Sequence, residues 1–344
     1  MGTKPNAARR LQAGFSLIEL MISLTIGLIL MAVMLLVFSD SSSRGQDLSR
    51  SNAQIENGRY ASELLVEELT IAGFWGALRP PVVNTVTGEG FSDPDPCAAT
   101  PGGWTITPYE IPAAVRGVAP ADVLTCLSNR KAGTGAVVIR RTAIDTTAVA
   151  DAITNQHYLQ LSFCADDPLS KPFIFSKIKA HFDLRTRGCS AALNPLRSYV
   201  SRIYFIASCN NCAAGDGVPT LKRVELQGQT LVETALVEGI DDLRFEYGFD
   251  TEKDAGGVAD GNVNEYHSAV AAAGAASTWG NVVSVKAHFV TRSLEKATNL
   301  NTSLTAQTFT LGPNEVSFTA DGYLRRAYSQ TIRLTNPSAS REKQ

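Results

Sequence analysis

From Phe15 to Phe38 the chain runs for 24 residues with a single ionisable side chain, Glu19, in the stretch "FSLIELMISLTIGLILMAVMLLVF". At about 1.5 Å per residue a helix of that length crosses the roughly 30 Å hydrocarbon core, so residues 15–38 are expected to form a transmembrane helix. Beyond it, Leu48, Ile55, Leu65, Leu69 and Ala72 recur at helix-compatible spacing, and no proline occurs between Pro5 and Pro80. The helix is therefore expected to continue, amphipathic, over 39–79. Ser62 falls on the same face, Gly58 weakens the middle, and Ser39–Gly45 is a place for the helix to bend.

After Gly73 the periodicity changes from helix-like to alternating. "AVVIRRTA" at 136, "YLQLSF" at 158, "YVSRIYFIAS" at 199, "LKRVELQ" at 221, "LRFEYGF" at 243, "VVSVKAHFVT" at 282 and "YSQTIRLT" at 328 read as strands. In the run at 282, Val283, Val285, Ala287 and Phe289 fall on one face, and Lys286 and His288 on the other, as in a half-buried strand. The expected class is α+β: a long N-terminal helix packed on an antiparallel sheet in a head of residues 80–344. The stretches 80–115, 145–155 and 251–280, rich in Gly, Ala, Asp or Thr, are expected to be long surface loops.

Charge and cysteines place the two ends of this arrangement. Lys4, Arg9 and Arg10 precede the apolar run without an acidic residue, whereas Asp40, Arg44 and Asp47 follow it, which puts the N-terminus in the cytoplasm. All six cysteines, Cys97, Cys126, Cys164, Cys189, Cys209 and Cys212, lie on the far side, as in an oxidising compartment. Six cysteines allow fifteen pairings. Sequence neighbours, 97 with 126, 164 with 189 and 209 with 212, are the expected pairs. With 31 Lys plus Arg against 33 Asp plus Glu, and no long basic block, there is no footprint for nucleic acid. A cleaved secretory signal fits poorly, because the run is long and Ser39 and Ser41–Ser43 make a weak cleavage site.

A short basic leader ending in Gly14, then Phe15, a three-residue spacer and Glu19 in an otherwise uncharged helix, resembles the class III signal of type IV pilins and their relatives. That resemblance implies a prepilin peptidase cutting on the cytoplasmic side between Gly14 and Phe15, removal of leader 1–14, and methylation of Phe15 as the new N-terminus. Physical chemistry agrees with those residue types. Glycine lets a peptidase approach the backbone closely, and a carboxylate one turn into an apolar helix costs a few kcal/mol unless paired. The α-amino group of a neighbouring subunit's N-terminus has the right sign to neutralise Glu19.

Further along, "LVEELTIAGFWG", "GDGVPTLKRVELQG", "LVEGIDDLRFEYGFD", "WGNVVSVKAHFVTRS" and "LRRAYSQTIRLTN" resemble, in that order, the body of PilW-type minor pilins. Ala77 stands where many of those proteins place a cysteine, so no pairing is carried over. The resemblance implies a minor pilin of the inner membrane, head in the periplasm, joining other minor and major pilins to prime pilus assembly. A type II secretion pseudopilin shares the N-terminal logic, and a membrane-anchored adhesin or binding module is the reading from another class.

Other constellations carry less. Cys209-Asn-Asn-Cys212 lacks a second ligand pair for zinc and precedes a loop, so a loop-closing disulfide is expected. Asp250, Asp254, Asp260, Asn262 and Asn264 make an oxygen-rich loop, the one candidate for a hard cation such as Ca²⁺, with spacing interrupted by "AGGVA". His157, His181, His267 and His288 are scattered, and no hydrolase, zincin or phosphate-loop sequence is present. No cofactor and no catalytic residue are expected.

Overall fold

The computed structural model describes residues 16–78, 90–106, 109–251, 259–268, 276–297 and 305–342. Helix α1 runs unbroken over Leu17–Thr70. The chain divides into two units, Met1–Ser49 and Arg50–Gln344, and α1 contributes to each. In the first unit the serine-rich stretch 39–45 is helical: Ser43 Oγ donates to the Ser39 carbonyl at 2.9 Å and Arg44 pairs with Asp40 at 3.0 Å. Those local bonds satisfy groups that would otherwise favour a break.

In the second unit Gln54, Gly58, Ala61, Leu65, Glu68 and Leu69 form the buried face of α1 at three- and four-residue intervals. The expected stripe is right only in its last part, since Leu48 remains 64% exposed and Ile55 36%. The packed face begins instead at a polar residue. Gln54 donates its side-chain amide to the carbonyls of Thr291 and Leu324, both at 3.0 Å, so it is buried without an unmet donor. Gly58 lies where the helix and sheet come closest: a Cβ there would sit 2.4 Å from Tyr328 Cζ, and that ring is stacked on Phe289 at 5.2 Å.

α1 ends at Thr70 rather than running on to 79. Gly73, at φ +71°, turns the chain and donates to the Arg140 carbonyl at 2.9 Å. Asn336 donates to the carbonyls of Ile71 and Ala72, at 3.3 and 3.1 Å, which the missing next turn leaves open.

Sixteen strands follow among the described residues. β1 (Phe91–Ser92), β2 (Thr105–Ile106) and β3 (Tyr109–Pro112) make a small sheet, ordered β1-β3-β2, inside what the sequence suggested was a surface loop. Next come β4 (Val115–Val118), β5 (Ala136–Thr142), β6 (Tyr158–Leu161), β7 (Phe173–Ser176), β8 (Arg197–Ala207), β9 (Thr220–Gln227) and β10 (Thr230–Glu238). They form an antiparallel sheet in the order β10-β9-β8-β5-β4, with β6 and β7 branching from β8. Then β11 (Ile240–Phe249), β12 (Glu265–Ser268), β13 (Val282–Arg292), the hairpin β14 (Gln307–Leu311) and β15 (Asn314–Phe318), and β16 (Arg325–Arg333) complete the head, followed by α2 (Thr335–Arg341). The second main sheet is antiparallel, ordered β12-β11-β13-β16.

Thus the head has two main sheets where one was expected, and both close on α1 around one core. Leu65 and Leu69 of the helix share one buried apolar cluster with Val137, Ile139, Tyr204 and Ile206 of the first sheet and Leu243, Tyr247, Val285 and Phe289 of the second. Alternation sends Ala136, Val138, Ile203 and Phe205 to the opposite face of the first sheet, which carries its own apolar cluster.

β13 also departs from its half-buried pattern. His288 is buried, because the β14–β15 hairpin covers that face: Gly312, at φ +62°, turns the hairpin so close that a Cβ would meet Glu246 Oε2 at 2.9 Å and His288 Nε2 at 3.1 Å.

Arg325 helps hold that side of the head. Its guanidinium donates to Asp241 at 2.8 Å and Asp321 at 2.8 and 2.5 Å, and lies 4.3 Å over the Phe318 ring. The Arg325 hydrogen bonds hold the Asp321 carboxyl down at about 2. Asp167 is likewise at about 2, through the Arg185 N–H and the Ser162 hydroxyl. A carboxylate depressed in this way contributes stability that is complete above the ordinary carboxylate range and is lost as pH falls through about 2. Melting temperature is therefore expected to fall between pH 4 and pH 2. Asp321→Asn should lower Tm at pH 7 and flatten the acid slope; identical slopes in the two proteins would rule out Asp321 as a source.

Candidate functional site

The most distinctive surface is the N-terminal part of α1. Its large apolar residues from Leu17 to Phe38 are between 52% and 77% exposed and surround the helix on every side. A one-sided stripe would pack on a head, but an apolar surface all round requires lipid or other helices. This is the one helix among the described residues long and apolar enough to cross a membrane.

Its polar groups are accounted for internally, with one exception. Ser23 Oγ donates to the Glu19 carbonyl at 2.6 Å and Thr25 Oγ1 to the Ile22 carbonyl at 2.9 Å, so neither hydroxyl needs an outside partner. Glu19, in the first turn, has a carboxylate for which the described residues supply no hydrogen bond or ion pair. The positive end of the helix dipole favours a negative charge there. Such a helix offers an apolar cylinder with one acidic mark near its N-terminal end, a surface suited to binding equivalent helices and one cation. Gly14 and Phe15 lie outside the described residues, and Asp254 does too.

The cysteines form Cys97–Cys126, Cys164–Cys189 and Cys209–Cys212, with no free thiol, and these are the sequence-neighbour pairs. Cys164, Asp166 and Cys189 lie close enough together to suggest a metal site, but both sulfurs are already bonded to each other.

Among the described residues, the oxygens of this loop have partners within the protein. Asp250 is buried and its Oδ2 accepts from Gly261 N–H at 2.8 Å and pairs with Arg341 at 3.3 Å. Asp260 receives the backbone and side-chain N–H groups of Asn262, each at 2.8 Å, and is held below its ordinary value by them. Asn264 Oδ1 accepts from Thr251 N–H at 2.7 Å. These hydrogen bonds tie the described residues of the loop together, and Arg341 balances the Asp250 charge.

Sequence reasoning missed Arg341, which reaches Asp250 from 91 residues away, and no local signal marks it. His288 sits between Ser329, 2.9 Å from Nδ1, and Glu246, 3.0 Å from Nε2, beneath the hairpin. His157 is desolvated, which lowers its pKa, and stacks on Phe175 at 5.6 Å. Among the described residues neither histidine joins a cluster of metal ligands.

Residues 203–336 match the family model described as Type IV Pilus-assembly protein W, and residues 9–35 match the Prokaryotic N-terminal methylation motif. The first match runs from within β8 into α2; the second brackets Gly14, Phe15 and Glu19. No curated protein and no solved structure matches the chain.

Proposed function

We propose that this chain, whose residues 203–336 match the Type IV Pilus-assembly protein W model and residues 9–35 the N-terminal methylation motif, is a membrane-anchored minor pilin that helps prime type IV pilus assembly by packing its N-terminal helix among other pilins. The observation that carries this reading is the continuous apolar surface of residues 17–38, uncovered on all sides and marked by one carboxylate. A prepilin peptidase removes residues 1–14, Phe15 becomes the methylated N-terminus, and residues 15–38 move from the inner membrane into a bundle of like helices. Residues 39–79 join that segment to the head of residues 80–344.

The basic leader keeps the N-terminus cytoplasmic and the disulfide-bonded head periplasmic. Glu19 pairs there with the N-terminal amine of a neighbouring major or minor pilin, which offsets the cost of carrying a carboxylate through an apolar phase. The match over residues 203–336 favours the pilus over a type II secretion pseudopilin. The family is one of structural pilus components, and no step here requires catalysis.

Mass spectrometry of the mature protein tests the reading directly. The expected result is an N-terminal peptide beginning at a methylated Phe15; an intact Gly14–Phe15 bond in protein recovered from a strain with active prepilin peptidase would overturn it.

A further inference from the structure

Cys209 and Cys212 differ from the other two disulfides in two respects. They close a loop with a sequence separation of 3, against 29 for Cys97–Cys126 and 25 for Cys164–Cys189. Closing a short loop restricts the unfolded chain least, so opening this pair costs the fold least. The loop is also held without the disulfide: Asp216 accepts backbone N–H groups from Asn210 at 3.1 Å, Asn211 at 2.6 Å and Val218 at 3.1 Å.

The second difference is charge. Lys222, on β9, is buried to 4% exposure, and its Nζ lies 3.6 Å from Cys212 Sγ and 2.8 Å from Glu233 on β10. A desolvated ammonium beside a sulfur favours the thiolate over the disulfide and the thiol. Glu233, 33% exposed on its side chain, takes part of that charge but not the contact. The Cys164–Cys189 pair has no such cation among the contacts described: the Asp166 N–H donates to Cys164 Sγ at 3.3 Å, and the Asp166 carboxylate lies within 4.8 Å of both sulfurs and opposes a thiolate there.

We propose that Cys209–Cys212 is a thiol–disulfide exchange site, opened and closed by dithiols while the other two disulfides stay shut. A thiolate of the dithiol attacks Cys209 Sγ, which belongs to a residue only 8% exposed and lies 3.7 Å from the Ser208 hydroxyl. A sulfur–sulfur bond forms to the dithiol, the Cys209–Cys212 bond breaks, and the electron pair leaves on Cys212 Sγ facing Lys222. The second thiolate of the dithiol then attacks its own mixed-disulfide sulfur, releasing Cys209 as a thiolate that takes a proton from water. The protein disulfide is reduced by two electrons and the dithiol is oxidised to its cyclic disulfide.

The test equilibrates the full chain in detergent at pH 7 with graded ratios of reduced to oxidised dithiothreitol, traps thiols with iodoacetamide and maps them by mass spectrometry. Cys209 and Cys212 are expected to reach half-reduction at a ratio at least about tenfold lower than either other pair, a difference of about 30 mV. Lys222→Gln should raise the ratio needed, and Glu233→Gln, which frees the ammonium for the sulfur, should lower it. A purely structural contribution would move both variants the same way. Opening of this pair together with or after the others, or parallel shifts in the two variants, would overturn the proposal.

Discussion

On the proposed reading, Glu19→Ala is expected to insert and be cut at Gly14, yet fail to enter a complex with other pilins. In an assembled bundle a carboxylate with no cation would be an unmet charge among apolar side chains, and removing one partner of a buried pair typically costs about 3 to 5 kcal/mol. That corresponds to a loss of at least about a hundredfold in association. Here the cost falls on the neighbour, whose N-terminal amine loses its anion. The alanine chain itself becomes more apolar and should be retained in the membrane more firmly. Glu19→Gln keeps shape and hydrogen bonding but not charge, so it should associate more weakly than the unaltered chain. Co-purification with partner pilins from detergent extracts reads the effect, with the mature N-terminus measured in the same sample. Normal co-purification of the cleaved alanine variant would show that Glu19 is not an assembly contact.

The reading of Glu19 rests on local sequence alone: an apolar run from Phe15 to Phe38, one carboxylate within it, and a glycine and an aromatic a few residues before. The seven strand runs were legible for a similar reason, since alternation is written locally and sheets read it out with a period of two. What could not be read locally is what covers each face. β13 carries Lys286 and His288 opposite its apolar row, which suggested a solvent face, yet a hairpin from 307–318 closes over His288. Gly58 counted as a weakness of the helix by propensity, but the structure gives it the place where only a missing side chain admits Tyr328. A propensity cost of about 1 kcal/mol is outweighed there by helix–sheet packing. The same holds for Gln54, a polar residue on the buried face that satisfies two carbonyls from distant segments.

Arg341→Ala is expected to cause the largest loss of head stability among single changes near the acidic loop. The Arg341 guanidinium donates to the carbonyls of Asp250 at 3.3 Å and Gly280 at 3.1 Å and to Asn281 Oδ1 at 2.5 Å, besides pairing with the Asp250 carboxylate at 3.3 Å. Its side chain is 5% exposed and that of Asp250 is 2%, so truncation leaves a desolvated carboxylate to which, among the described residues, the Gly261 N–H at 2.8 Å is the remaining donor. The cost is about 3 to 5 kcal/mol, or a Tm lower by roughly 10 °C for a domain of this size. Asp250→Asn in the Arg341→Ala background should recover part of the loss, because the stranded charge is then gone; no recovery would mean that lost packing, not charge, carries the effect. A calcium arm separates the two readings of Asp250. With Arg341 already serving as its cation, millimolar Ca²⁺ is expected to leave the Tm of the unaltered protein unchanged, and a rise would show that the oxygen-rich loop takes a metal despite the guanidinium.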